Sequence, residues 1–189
     1  MRRIGRLCVY CGSSGRVDER YRAAASELGM RLAESGIELV FGGGRVGLMG
    51  LVADAALAGG GRVTGVIPGA LRDAELAHHG VSELVIVDTM HERKRVMAER
   101  ADAFAVLPGG VGTLDETFVT LTWRMLRLHD KRIFLVDVEG YWRPLLDLFD
   151  HVVAAHFAGP LIPNLVEPVP GVEALMDILS RPQRGNPAG

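Results

Sequence analysis

"DAFAVLPGGVGTLDE", residues 102–116, runs from an apolar stretch through a proline and three glycines into two acids. Residues 102–107 read as a strand buried on both faces, the pattern of a parallel sheet. Pro108 closes the strand. Gly109, Gly110 and Gly112 free the backbone of the loop, and residues 112–128 read as the helix that follows. A strand feeding a helix through a tight loop is the first half of a strand–helix–strand unit.

Outward from this stretch the same alternation repeats. Strands are predicted at 6–11, 37–41, 62–67, 83–87 and 132–137. Asp18 is placed to cap a helix that puts Tyr21, Ala25, Leu28 and Leu32 on one face and stops at Gly36. Further helices are predicted at 47–58, 89–101, 142–157 and 171–180. Residues 68–82 read as irregular, the segment after Pro160 is proline-rich, and 181–189 read as a loose tail. The whole implies an α/β domain over 1–180: a doubly wound parallel sheet with helices on both faces. Such sheets bind ligands beyond the carboxyl ends of their strands, and both glycine loops open there.

Bulk composition narrows the function classes. The chain has 189 residues, 48% hydrophobic and 23% charged, with a net charge of -2. No global field recruits nucleic acid. No apolar run approaches the roughly 20 residues of a membrane span. Arg2 and Arg3 precede no apolar core, so neither a secretory nor a twin-arginine signal is read and a cytoplasmic location is expected. Cys8 and Cys11 form a CxxC, but in a strand residues three apart face opposite sides and lie about 10 Å apart, too far for a disulfide. The six histidines form no metal-ligand pattern, and no catalytic metal is expected.

Gly42, Gly44 and Gly47 satisfy GxGxxG between a strand and a helix. A dinucleotide site would want an acid at the end of the next strand to hold a ribose. That strand ends Val66-Ile67-Pro68-Gly69. The loop reads instead as a close backbone approach to a smaller nucleotide, with Gly43 and Gly44 as contacts; a turn that merely packs helix on strand is the alternative. The second loop, 109–113, adds Thr113 at the helix start, where free amides and the helix dipole favour phosphate. No Lys follows as in a P-loop. Asp115 and Glu116 are either first-turn charges or carboxylates facing the far end of a phosphorylated ligand. "MHERK" (90–94) starts a helix on the same edge, so Arg93 and Lys94 would neutralise phosphate or position the acids. Ser13-Ser14 reads as a nucleotide-contacting turn.

Together "CGSSG", "GGGRVGLMG", "MHERK" and "PGGVGTLDE" resemble the LOG ("Lonely guy") family of cytokinin riboside 5′-monophosphate phosphoribohydrolases, long labelled lysine decarboxylases. The resemblance spans about residues 5–158. It implies a Rossmann-like fold, a homodimer, no cofactor, and hydrolysis of the N-glycosidic bond of a nucleoside 5′-monophosphate, with or without a substituent on adenine N6. It makes Arg93 and Glu116 the catalytic pair. Lys94, Gly109, Gly110, Val111, Gly112, Thr113 and Asp115 fall on its nucleotide-binding positions, with Glu75 and Thr122 as further substrate contacts. Breaking a ribosyl–nitrogen bond builds oxocarbenium character on the sugar, and a carboxylate such as Glu116 stabilises that charge and orients water.

The segment "TWRMLRLHDKR" (122–132) departs from the family pattern, with Met125, Arg127 and Arg132 replacing a usual Gln, Gly and Pro. Residues 118–128 are apolar around much of the helix, as suits burial on two sides, in a dimer or a broad core. Two other functions are compatible with the fold: a carrier that holds a molybdenum cofactor without hydrolysing it, and a lysine decarboxylase. The latter needs pyridoxal phosphate and a Schiff-base lysine, and the chain has only Lys94 and Lys131.

Overall fold

The computed structural model describes residues 4–73, 76–160 and 162–181. Seven strands form one sheet in the order β4-β3-β2-β1-β5-β6-β7. They are β1 Arg6–Tyr10, β2 Glu38–Phe41, β3 Val63–Pro68, β4 Glu83–Val87, β5 Ala103–Val106, β6 Ile133–Val136 and β7 Glu167–Val169. Every pairing is parallel. The helices are α1 Glu19–Glu34, α2 Gly47–Ala58, α3 Gly69–Asp73, α4 Met90–Arg100, α5 Val111–Met125, α6 Arg143–Ala154 and α7 Val172–Ser180. The expected α/β class and doubly wound, Rossmann-like arrangement hold.

The period of two along each strand divides the core into two layers. Leu7, Val9 and Cys11 face a layer with Leu28 and Leu32 of α1, Val52 of α2 and Leu175 of α7. Cys8 and Tyr10 face the opposite layer, with Met97 of α4, Leu121 of α5 and Phe149 of α6. The two cysteines therefore point away from each other, and both are free and buried. Burial pushes both thiols well up from their ordinary value.

The strand missing from the sequence reading is β7. It is three residues long and contains Pro168, which cannot donate to a ladder and is confined to edges. An edge is where β7 lies. Within the stretch read as irregular, the five-residue α3 forms, and Ala77 makes an isolated antiparallel bridge to Gly44. The tail beyond Arg181 lies outside the described residues, as does Glu75. Among the described residues no helix is long and apolar enough to cross a membrane.

The strand order fixes where a ligand site belongs. From β1 the chain winds outward through β2, β3 and β4, then returns to place β5 on the other side of β1. The loops leaving β1 and β5 diverge at that reversal, the crevice that α/β sheets use for ligands.

Candidate active site

A cavity of about 570 Å³ opens at this crevice, of the size that takes a small organic ligand. It is lined by Cys11–Ser14 after β1 and Pro108–Thr113 after β5, with Gly42 and Gly44 after β2, Arg93 of α4 and Glu116 of α5. Met49, Ile67, Leu71 and Leu76 supply apolar lining.

Glu116 and Arg93 meet at the cavity. Arg93 Nη1 lies 3.0 Å from Glu116 Oε1, and both side chains are 9% exposed. The guanidinium is held from three directions. Its Nε donates to Val66 O at 3.1 Å and its Nη2 to Gly42 O at 3.1 Å, both buried bonds. Val66 lies within β3 and Gly42 begins the loop after β2, so the sheet itself orients the arginine. Gly42 is required for this: a Cβ there would lie 1.7 Å from Arg93 Nη2. Burial pushes the Glu116 carboxyl above the ordinary glutamate value; the Arg93 charge opposes that, Asp115 adds to it and Lys94 opposes it. A carboxylate kept dry and tethered to a fixed cation is pre-aimed, and little reorganisation is needed when positive charge develops nearby.

The loop before α5 supplies the complementary chemistry. Pro108 O accepts from Gly12 N at 3.1 Å, tying the loops after β1 and β5 together. None of the amides of residues 109–113 donates to an acceptor among the described residues. They are the orphan donors of a helix start, reinforced by its dipole. A Cβ at Gly110 or Gly112 would meet nothing within 4 Å, and both residues line the cavity.

The predicted site residues divide into two groups. Arg93, Glu116, Gly44, Gly109, Gly110, Val111, Gly112 and Thr113 all line the cavity, as do Ser13 and Ser14. Gly43, Lys94, Asp115 and Thr122 do not. Gly43 is at φ +71, with the place of its absent Cβ against Ile67 and Val66 of β3. Lys94 and Asp115 bind each other, Nζ to Oδ1 at 2.9 Å and to Oδ2 at 2.8 Å. Each basic residue is thus paired with an acid, Arg93 with Glu116 and Lys94 with Asp115. Thr122 is exposed two turns further along α5. Glu75 lies outside the described residues. The first glycine loop is packed against the rest of the protein, and Gly42 and Gly44 also line the cavity. Its missing side chains make room for the protein's own atoms: Arg93 at Gly42, Met49 at Gly44 and the Ser13 backbone at Gly47.

The sequence reading missed the apolar wall and two aromatic residues. Tyr21 and Tyr141 both line the cavity, their rings edge to face with centroids 5.4 Å apart. Tyr21 carried a signal only for the inner face of α1, and Tyr141 carried none.

This geometry accompanies close relationship to known proteins. A family model described as "Possible lysine decarboxylase" matches residues 49–179. A probable cytokinin riboside 5′-monophosphate phosphoribohydrolase of Oryza sativa subsp. japonica is 50% identical over 155 residues, 82% of this chain and 70% of that protein. The chain belongs to the LOG family. A cytokinin riboside 5′-monophosphate phosphoribohydrolase of Arabidopsis thaliana is 43% identical over 171 residues, 90% of this chain and 80% of its own. Among solved structures, the molybdenum cofactor carrier protein of Chlamydomonas reinhardtii superposes with a TM-score of 0.72 at 21% identity, covering 94% of this chain and 96% of that one. That likeness is one of fold. The older description of the LOG family gains no support from the lysines: Lys94 is bound to Asp115 and Lys131 Nζ donates to Ala98 O at 2.6 Å. Neither lines the cavity.

Proposed function

We propose that this chain hydrolyses the N-glycosidic bond of an adenosine 5′-monophosphate, releasing the free base and ribose 5-phosphate. The observation that carries the reading is a buried carboxylate, Glu116, held by Arg93 in a cavity that is also lined by a run of free amides. The 5′-phosphate sits on the amides of residues 109–113. The ribose then lies between them and Glu116, and C1′ faces the carboxylate. Glu116 stabilises the oxocarbenium character and orients water. The water oxygen bonds to C1′ as the C1′–N bond breaks; one water proton goes to the departing nitrogen and the other stays on the new anomeric hydroxyl. That balance needs no cofactor. Arg93 keeps the carboxylate ionised and aimed, and Lys94 with Asp115 braces α4 against α5.

The apolar wall of Met49, Ile67, Leu71 and Leu76 supports a base with an apolar group on its exocyclic nitrogen, since Leu71 and Leu76 are themselves more than a third exposed and would gain by being covered. The same reading holds for a homodimer. Val111, Phe118 and Met125 of α5 and Leu126 just beyond it are exposed; Val111, Phe118 and Met125 recur every seven residues, on one flank with Asp115 and Thr122 between them. A second copy of the chain covers such a flank. Two free, buried thiols suit the reducing cytoplasm.

The test is release of free base from isopentenyladenosine monophosphate, AMP, CMP and GMP by the purified protein. The modified nucleotide should be cleaved best. Glu116→Gln should lower turnover by about 10²–10⁴-fold while the protein stays folded. In the wild type, turnover should fall as pH drops through a value above the ordinary glutamate range, because burial raises this carboxyl and only its ionised form acts. That limb should vanish in the variant. Near-normal turnover by Glu116→Gln refutes the assignment, and tight nucleotide binding without base release turns the reading to a carrier.

A further inference from the structure

The geometry points to Tyr141 as a positioning residue: its hydroxyl fixes the Gly109–Gly110 peptide so that the Gly110 N–H is presented to the phosphate. The inference rests on the reading of residues 109–113 as a phosphate cradle.

Tyr141 Oη donates to Gly109 O at 2.7 Å. Across a trans peptide the carbonyl and the next N–H point in opposite directions. Holding the Gly109 carbonyl on the Tyr141 hydroxyl therefore turns the Gly110 N–H away from Tyr141 and sets its bearing. The bond matters here because the peptide lies between two glycines, where alternative backbone states are cheap. The preceding peptide is already pinned, through Pro108 O on Gly12 N. The following one is pinned by Leu114 N on Gly110 O at 3.0 Å, the first turn of α5. Gly109 O on Tyr141 is the remaining fastening.

The tyrosine is itself well held. Its ring sits edge to face against Trp142 at 4.9 Å and against Tyr21 at 5.4 Å. Trp142 Nε1 donates to Val106 O at 3.1 Å, so adjacent residues grip the end of β5 and the loop beyond it. The turn that brings them there is tight, with Glu139 at φ +51 and Gly140 at φ +79. It is closed by Asp137 Oδ1 accepting from Trp142 N at 2.6 Å and by the Arg20–Glu139 pair. Arg20 also stacks over Tyr21, 5.0 Å from its centroid. The start of α1 thus braces the turn after β6, whose Tyr141 in turn holds the loop after β5.

Tyr141→Phe keeps the ring and removes the hydroxyl. Ribose 5-phosphate, titrated calorimetrically into ligand-free wild type and variant, should bind the variant about two- to tenfold more weakly, the worth of one hydrogen bond. KM for AMP should rise by a similar factor with kcat little changed, and adenosine, which lacks the phosphate, should bind both proteins equally. The melting temperature should stay close to wild type. In the ligand-free variant the Gly110 amide resonance should move and its exchange with solvent quicken. Unchanged affinity for ribose 5-phosphate overturns the inference and leaves the proposed function standing. Weakened affinity with an unmoved Gly110 resonance also overturns it, since the hydroxyl would then touch the phosphate itself. A wild type that binds no ribose 5-phosphate removes the phosphate cradle and this inference together.

Discussion

At Gly42 an added Cβ would lie 1.7 Å from the Arg93 guanidinium; at Gly110 and Gly112 it would meet nothing within 4 Å. The two glycine loops look alike in sequence, each between a strand and a helix on the same sheet edge. In the first, the space left by the side chains is filled by the protein. In the second, Gly109 makes room for Thr113, whose Oγ1 would be 2.1 Å from its Cβ, while the other two line the cavity with nothing beside them. The first loop therefore builds the site by admitting the cation that holds Glu116, whereas the second leaves amides bare for a ligand. A glycine in a nucleotide-site motif is not by itself a mark of ligand contact.

Gly42→Ala should break this arrangement most. The methyl and the guanidinium cannot share the space, so Arg93 must leave its bonds to Val66 O, Gly42 O and Glu116. A buried carboxylate stripped of its partner costs about 3–5 kcal/mol. For a chain of this length the melting temperature should fall by roughly 6 °C or more, and base release should fall with it. A variant as stable and active as wild type would show that Arg93 is not confined by Gly42.

Gly110→Ala should have the opposite profile. Gly110 has φ -95 and ψ -151, backbone that alanine adopts without strain, and its methyl meets no protein atom. Stability should change by less than about 0.5 kcal/mol. The methyl would stand where a phosphate approaches, so KM for a nucleoside monophosphate should rise by roughly tenfold or more, a steric conflict worth about 1.4 kcal/mol. Equal stability losses at Gly42 and Gly110 would erase the distinction between the loops.

The fold was largely legible because its signals are periodic. Continuous apolar runs marked β1 to β6, and Asp18, Gly36 and the glycine loops marked the joints between elements. β7 escaped because Pro168 argues against a strand except at an edge, and edges are known only once the sheet is assembled. α3 escaped because five residues between Pro68 and an irregular stretch carry no period. At the site, the motifs gave Arg93 and Glu116. They could not say whether Lys94 and Asp115 face a ligand or each other, since opposite charges on neighbouring helices are compatible with both. The apolar wall and Tyr141 come from segments with no glycine or charge pattern, brought to the cavity only by the crossovers of the sheet.

The smallest effect concerns glycine required for conformation rather than for space. Four helices end in the same pair of bonds. After α1, Gly36 N donates to Ala33 O and Ile37 N to Leu32 O; after α2, Gly60 N donates to Leu57 O and Gly61 N to Ala56 O. After α5, Arg127 N donates to Arg124 O and Leu128 N to Trp123 O; after α6, His156 N donates to Val153 O and Phe157 N to Val152 O. This is the Schellman ending, whose left-handed residue is usually glycine. Gly36 and Gly60 obey, at φ +65 and +76, while Arg127 and His156 occupy the same position at φ +60 and +62. Arg127 is also where the chain departs from the glycine usual in its family, so the departure changes the residue and keeps the backbone. A side chain in this conformation costs about 1 kcal/mol. Arg127→Gly should therefore raise the melting temperature by roughly 2–4 °C and leave base release unaltered, because the residue is exposed and lies outside the cavity lining. The same substitution at His156 should act alike and add to it. A fall in stability at Arg127 would mean that its side chain contributes more than its backbone costs.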